Sequence, residues 1–132
     1  MIQEIKSAIA ANKNIMLNGD LGSGKLQYAK QACVELNKKS ITVHFSIFDF
    51  SSFPGIPSDM DYVISMAKKD NAVVIFDIDD ALIDQTKSVF ILECMAQFQC
   101  IIVRKPNEFV FPRVIANRIH EFFKVPSLRA AL

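Results

Sequence analysis

The sequence predicts a three-layer α/β fold, a mostly parallel sheet with helices on both of its faces. Three observations point there. Short apolar runs of strand character alternate with segments of helical period along the whole chain. One run, "AVVIFDI" at 72–78, is nearly unbroken in its apolar character, as expected of a strand covered on both sides. A glycine-rich turn, "GDLGSGK" from Gly19 to Lys25, joins a strand-like run directly to a helical one. At 132 residues, 51% hydrophobic and 22% charged, the chain is one domain (1–132) with enough apolar side chain for a substantial core.

Each element has its own signal. "IQEIKSAIAA" places Ile2, Ile5, Ala8 and Ile9 on one helical face, and "IMLN" is a short strand ending at Gly19. From Lys25 to Asn37, Leu26, Ala29, Ala32, Cys33 and Leu36 recur at helical spacing. "SITVHFSIF" at 40–48 is rich in β-branched and aromatic residues and predicts a strand. "SSFPGIP" is a loop, with two prolines and a glycine in seven residues. Ser58 followed by Asp61 predicts a capping box that opens the helix "DMDYVISMAKK". After the strand "AVVIFDI" comes a helix with Val89, Leu92 and Met95 on one side, then the buried strand "CIIV". "PRVIANRIHEFF" at 112–123 predicts a helix with proline in its first turn and Val114, Ile115, Ile119 and Phe122 on one face. "FKV" before Pro126 predicts a last short strand.

Charge and cysteine usage narrow the function classes. A net charge of +1 supplies no electrostatic case for nucleic-acid binding or a polybasic membrane face. No window is long and apolar enough to span a bilayer, and "MIQEIKSAIA" lacks a signal peptide's apolar core. Cys33, Cys94 and Cys100 form no CxxC pair, and their odd number argues against a disulfide framework. These features predict a soluble, cytoplasmic domain.

"GDLGSGK" satisfies the glycine and lysine positions of the G-x-x-x-x-G-K phosphate loop, between strand and helix as that motif requires. Gly22 and Gly24 let the backbone turn so that successive N–H groups face an anion. The helix beginning near Lys25 aims the positive end of its dipole at the same place, and Lys25 reaches the β- and γ-phosphates. Gly19, Asp20, Leu21, Gly22, Ser23, Gly24, Lys25 and Leu26 are the candidate nucleotide-binding residues. The alternative is a glycine-rich turn that binds nothing. Leu26 stands where a hydroxyl normally contacts magnesium, and it offers no oxygen. Magnesium is then held through water and Asp77, or nucleotide binds without efficient use of the metal.

The strand "VVIFD" ends in Asp77, placed to orient magnesium beside such a loop, with Asp79, Asp80 and Asp84 following. The residue directly after Asp77, commonly a glutamate that orients the attacking water, is Ile78. Asp79 or Asp80 could substitute with a shorter side chain. Asp80 and Asp84 also suit solvated helix-capping carboxylates. "FDIDDALID" additionally looks like the first motif of haloacid-dehalogenase phosphatases. In that alternative Asp77 is the nucleophile and Asp79 the acid. About half the chain precedes the motif, Ala81 stands where threonine or valine is usual, and the glycine loop is left unexplained.

From about Asn14 to Leu132 the chain resembles the AAA+ domain of bacterial sigma-54-dependent transcription activators. "NIMLNGDLGSGKLQYAKQACVEL" is similar to that family's phosphate-loop segment, where a non-hydroxyl residue, usually glutamate, also follows the lysine. "VVIFDIDDAL" resembles its Walker B strand, with Asp77 matching the aspartate and no glutamate after it. "CIIVRKPNEF" sits where the family has its sensor strand, and Asn107 matches the sensor asparagine with one residue inserted. "FPRVIANRIHEFFKVPSLRAAL" is similar to the segment in which a phenylalanine begins a helix and a proline-leucine-arginine ending follows. There Arg118 matches an arginine that acts across a subunit boundary on a neighbour's nucleotide, whereas Arg113 is out of register with a second such position.

The resemblance implies the nucleotide-binding half of an AAA+ module and ATP with Mg2+ as ligands, the metal held by Asp77. It implies catalytic roles for Asp77, Asp79 and Arg118, and a homo-oligomer as the working form. It implies a transcriptional response regulator that acts on sigma-54 RNA polymerase and reaches DNA through a domain outside this chain. The family's sigma-contacting GAFTGA loop has no counterpart in "SSFPGIPSDMDYVISMAKKD". The helical lid and DNA-binding helix-turn-helix are absent as well, which predicts a segment of a longer regulator or a reduced descendant. Impaired hydrolysis is expected from Leu26, Ile78 and the missing loop. The alternative from another class is a non-catalytic interaction module that keeps the fold without turnover. His44 is expected to be a strand histidine facing a partner, and His120 a surface residue on a helix.

Overall fold

In the computed structural model, which describes residues 1–79, 81–106 and 111–126, five helices alternate with five strands. In chain order these are α1 (Ile2–Ala10), β1 (Ile15–Asn18), α2 (Lys25–Glu35), β2 (Ser40–His44), α3 (Asp59–Asp70), β3 (Val73–Asp77), α4 (Gln85–Met95), β4 (Cys100–Arg104), α5 (Arg113–Ala116) and β5 (Glu121–Lys124). The strands form one sheet in the order β2-β3-β4-β1-β5, and every pairing is parallel. Parallel pairing follows from the helical crossovers, each of which returns the chain to the same edge direction.

The two-residue period of the strands sorts their side chains into two cores. Ile15, Leu17, Val73, Ile75, Ile101 and Val103 pack with Ile5, Ala8, Ile9 of α1 and Ala29, Ala32, Cys33 of α2. Met16, Val43, Val74, Phe76 and Ile102 pack on the other face with Val63, Ala67 of α3 and Phe90, Ile91, Cys94 of α4. Each central strand is therefore buried on both sides, the reason "VVIF" and "CIIV" read as continuous apolar runs. On the second face Phe45, Phe76 and Phe90 form edge-to-face pairs with centroids 5.8 Å apart along the chain of contacts.

Three sequence expectations are corrected. β2 stops at His44 instead of continuing to Phe48, because the chain turns there: the Ile47 and Phe48 N–H groups both donate to the His44 carbonyl. α4 buries Phe90, Ile91 and Cys94 and packs Leu92 and Met95, partly buried, against the same core, while Val89 is exposed; its apolar residues surround the helix, so periodicity alone could not fix the buried side. The helix expected over 112–123 is a single turn, Arg113–Ala116. Glu121–Lys124 instead adds to the sheet edge beside β1, locked by the His120 N–H donating to the Asn14 carbonyl at 2.8 Å and the Val125 N–H to Asn18 at 2.7 Å. Tertiary pairing overrides the local helical pattern here. The capping box at Ser58 forms as expected, with Ser58 Oγ accepting from the Asp61 N–H at 3.1 Å.

Candidate functional site

All strands run the same way, so the loops at their carboxyl ends converge on one edge of the sheet, where ligands of open α/β folds bind. The Gly19–Lys25 loop leaves β1 at this edge between the ends of β4 and β5. Gly22 and Gly24 hold φ of 82° and 83°, the left-handed region that side chains rarely adopt. Gly24 is also the N-cap of α2, which has no side-chain cap and no acidic residue in its first turn. Among the described residues, no side chain caps the α2 amides or sets an acid against its dipole from the first turn. Ser23 is buried with its Oγ unpartnered among the described residues, and Leu21 is exposed. Leu26 turns inward against the core formed by α1 and α2.

Lys25 is 4% exposed, and its ammonium donates to Asp79 Oδ2 at 2.8 Å and, more weakly, to the Asp20 carbonyl at 3.5 Å. Asp79 Oδ1 accepts the Lys105 backbone N–H at 2.6 Å. Asp77 stands at the tip of β3; its Oδ1 accepts the Asp79 N–H at 3.3 Å and its Oδ2 lies 3.1 Å from His44 Nδ1. His44 and Asp77 are register partners on β2 and β3, so the sheet itself brings them together. A hydrogen-bonded chain therefore runs His44–Asp77–Asp79–Lys25 across the carboxyl edge.

The residues present fit a phosphate ligand. Among the described residues the α2 amides have no side-chain cap, Ser23 offers an orphaned buried hydroxyl and Lys25 a buried ammonium, and no side chain fills the space over Gly22. The metal half of the site is thinner. Asp77 is a carboxylate at the right strand tip, Leu26 gives no oxygen, and no cluster of three or more metal-ligating side chains exists among the described residues. Ile78, 2% exposed, points into the core, so no group acts from the position after Asp77. Next to the loop a cavity of about 530 Å³ is lined by Asn18, Gly19, Asp20, Pro106, Lys124 and Val125, with Pro126 at its edge. Its size suits a small ligand. A more polar cavity of about 420 Å³ lies at the opposite ends of the strands, against Asn12, Asn14 and Gln99, away from the glycine loop.

Of the sequence candidates, the structure brings together the loop 19–25, Asp77 and Asp79. Asp84 is the N-cap of α4, accepting the Lys87 N–H at 3.0 Å. Arg118 lies in the turn after α5, exposed, with its carbonyl 3.4 Å from Asn14 Nδ2 at the amino end of β1. Four strand residues, about 13 Å, separate that level from the loop. Within its own chain Arg118 therefore does not meet Lys25. Arg113 is exposed at the start of α5. Asp80 and Asn107 lie outside the described residues. Sequence reasoning missed the contact between His44 and Asp77 and the anchoring of Asp79 by Lys105. The first was accessible by placing the ends of adjacent parallel strands level; the second depends on a backbone amide and carries no sequence signal. His120, expected on a helix, is exposed, and its Nδ1 accepts the Asn14 N–H at 2.9 Å.

No protein-family model and no curated protein sequence matches the chain. Among solved structures it is similar to PCH-2 of C. elegans, with a TM-score of 0.63 and 18% identity. The match covers 96% of this chain and 42% of the PCH-2 chain, so this chain spans under half the length of that neighbour. The five-stranded parallel sheet with helices on both faces is thus a P-loop-like α/β sandwich.

Proposed function

We propose that this chain is an ATP-binding AAA+ domain with little or no turnover of its own. The observation that carries the proposal is the uncapped glycine loop at the β1 tip with Lys25 buried beside Asp77 and Asp79. Loop amides and Lys25 would hold the phosphates, and Asp77 would hold magnesium, which when bound would neutralise phosphate charge. Slow turnover follows from Ile78, which is buried where a water-orienting glutamate is usual, and from Leu26, which packs against the core and offers magnesium no oxygen.

The finer proposal is a regulatory domain of a sigma-54-activator-like transcription regulator that works as a homo-oligomer. Its support is the sequence resemblance at the loop, at Asp77 and at Arg118; the likeness to PCH-2 bears on the fold alone. The position of Arg118, remote from its own loop, leaves a neighbouring copy's nucleotide as the only one it could serve. Between β2 and β3 the chain carries a tight turn in place of the sigma-contacting loop. Gly55 has φ 77°, the Ile56 N–H donates to Phe53, and both Phe53 and Ile56 are exposed. Contact with the polymerase through the usual loop is not part of the proposal.

The interaction-module alternative keeps binding without turnover, favoured by the same Leu26 and Ile78. The phosphatase alternative needs Asp79 to deliver a proton, yet both its oxygens act as acceptors. Calorimetric titration with ATP, with and without magnesium, tests the proposal. Micromolar to millimolar binding is expected, and Lys25→Ala should weaken it at least about tenfold, a loss of charge-assisted hydrogen bonds. Undiminished binding by Lys25→Ala, or release of phosphate from simple esters independent of Lys25, would refute it. Phosphate release from ATP at rates of ordinary ATPases would refute the turnover part.

A further inference from the structure

The most constrained ion pair at the site is the one the phosphate-loop resemblance does not call for. Asp79 is two residues beyond the strand-tip aspartate, and its carboxylate sits on the lysine that a phosphate would use. The contact is short, 2.8 Å, with side-chain exposures of 5% for Lys25 and 18% for Asp79. The carboxylate is also fixed from behind, because Oδ1 accepts the Lys105 backbone N–H at 2.6 Å and the Asp79 N–H itself rests on Asp77 Oδ1 at 3.3 Å. Asp79 is therefore a preoriented anion, held in place by β4's exit and by β3, facing the one buried ammonium among the described residues.

Resting on the nucleotide reading above, we propose that Asp79 is an affinity-setting residue that occupies Lys25 in place of phosphate, so that di- and triphosphates bind only after the Lys25–Asp79 pair separates. Lys25 reaches β- and γ-phosphates, whereas the α-phosphate lies on the loop amides. The competition therefore acts on ATP and ADP and not on AMP. Apparent affinity falls by the fraction of molecules whose lysine is released; a released fraction of about one in ten weakens binding about tenfold. Asp79→Asn keeps the shape and the oxygen that accepts from Lys105 but removes the charge and turns an N–H toward the ammonium. The ordinary expectation for an acidic residue beside a metal-binding aspartate is the reverse, loss of affinity on neutralisation.

The test is calorimetric titration of the full chain with ATP, ADP and AMP in EDTA, so that no effect passes through a metal. Wild type, Asp79→Asn, Asp79→Ala, Lys25→Ala and the double variant Lys25→Ala/Asp79→Asn are compared, with circular dichroism verifying that each is folded. ATP and ADP binding about tenfold tighter in Asp79→Asn, AMP unchanged, and no gain in the Lys25→Ala background are expected. Equal or weaker ATP binding by both Asp79 variants overturns the proposal and leaves nucleotide binding standing, as does equal tightening of AMP. Failure of every folded protein, Asp79→Asn included, to bind any of the three overturns both.

Discussion

Gly19 and Gly22 serve the loop for different reasons, and the difference is measurable. A Cβ on Gly19 would stand 2.6 Å from Ser23 Oγ, 3.1 Å from the Val125 carbonyl and 3.2 Å from Val125 Cβ. Gly22 has open space around it, but its φ of 82° strains any side chain. Gly19→Ala is expected to cost about 1–3 kcal/mol by overpacking. Gly22→Ala is expected to cost about 1–2 kcal/mol by backbone strain. Urea midpoints measure both. Removing the hydroxyl with Ser23→Ala should recover part of the Gly19→Ala loss and none of the Gly22→Ala loss, since only the first shares a neighbour with Ser23. Equal behaviour of the two in the Ser23→Ala background would contradict this packing.

At the scale of elements, helix ends are set by local chemistry and helix faces by packing. The α3 start is closed by Ser58 and Asp61 in both directions, the Ser58 N–H donating to Asp61 Oδ2 at 3.2 Å. Ser58→Ala should cost about 1 kcal/mol, seen as a lowered thermal midpoint, while the exposed Ser52→Ala should be silent. This cap was legible because it needs only residues three apart. The buried face of α4 was not, because apolar residues surround that helix and the sheet chose Phe90, Ile91 and Cys94. Nor was β5. "VIANRIHEFF" offers a helical period, but from Glu121 onward the edge of β1 offers a complete ladder of backbone partners, and an isolated helix of such a length is marginal.

Across the whole molecule, two cores sandwich the sheet, and the three thiols lie in them, all fully buried. Burial pushes the Cys33 thiol from an ordinary 9.0 up to about 11 and Cys94 up to about 12, with Cys100 also raised well above its ordinary value. The folded chain keeps these protons at a pH where the unfolded chain releases them. Stability is therefore fully present below pH 9 and is lost as pH rises through 11 to 12. Urea midpoints at pH 8 and pH 10.5 should show a decline that is smaller in Cys94→Ala. The native protein should also resist thiol reagents until it unfolds; rapid native labelling of all three would contradict the burial of both cores.

The amino-acid sequence by itself determined the α/β alternation, the strand-turn-helix at the phosphate loop and the α3 cap, because each depends on periods and contacts a few residues long. It also marked the loop and Asp77 as a candidate nucleotide site. Only the tertiary structure decided that β5 closes the sheet, that Arg118 lies at the far end from its own loop, that His44 meets Asp77, and that Asp79 holds Lys25. Those outcomes include contacts between residues far apart in the chain, such as Asn14 and His120, 106 positions apart. The order in which parallel strands stack creates such contacts, and local preference does not encode that order.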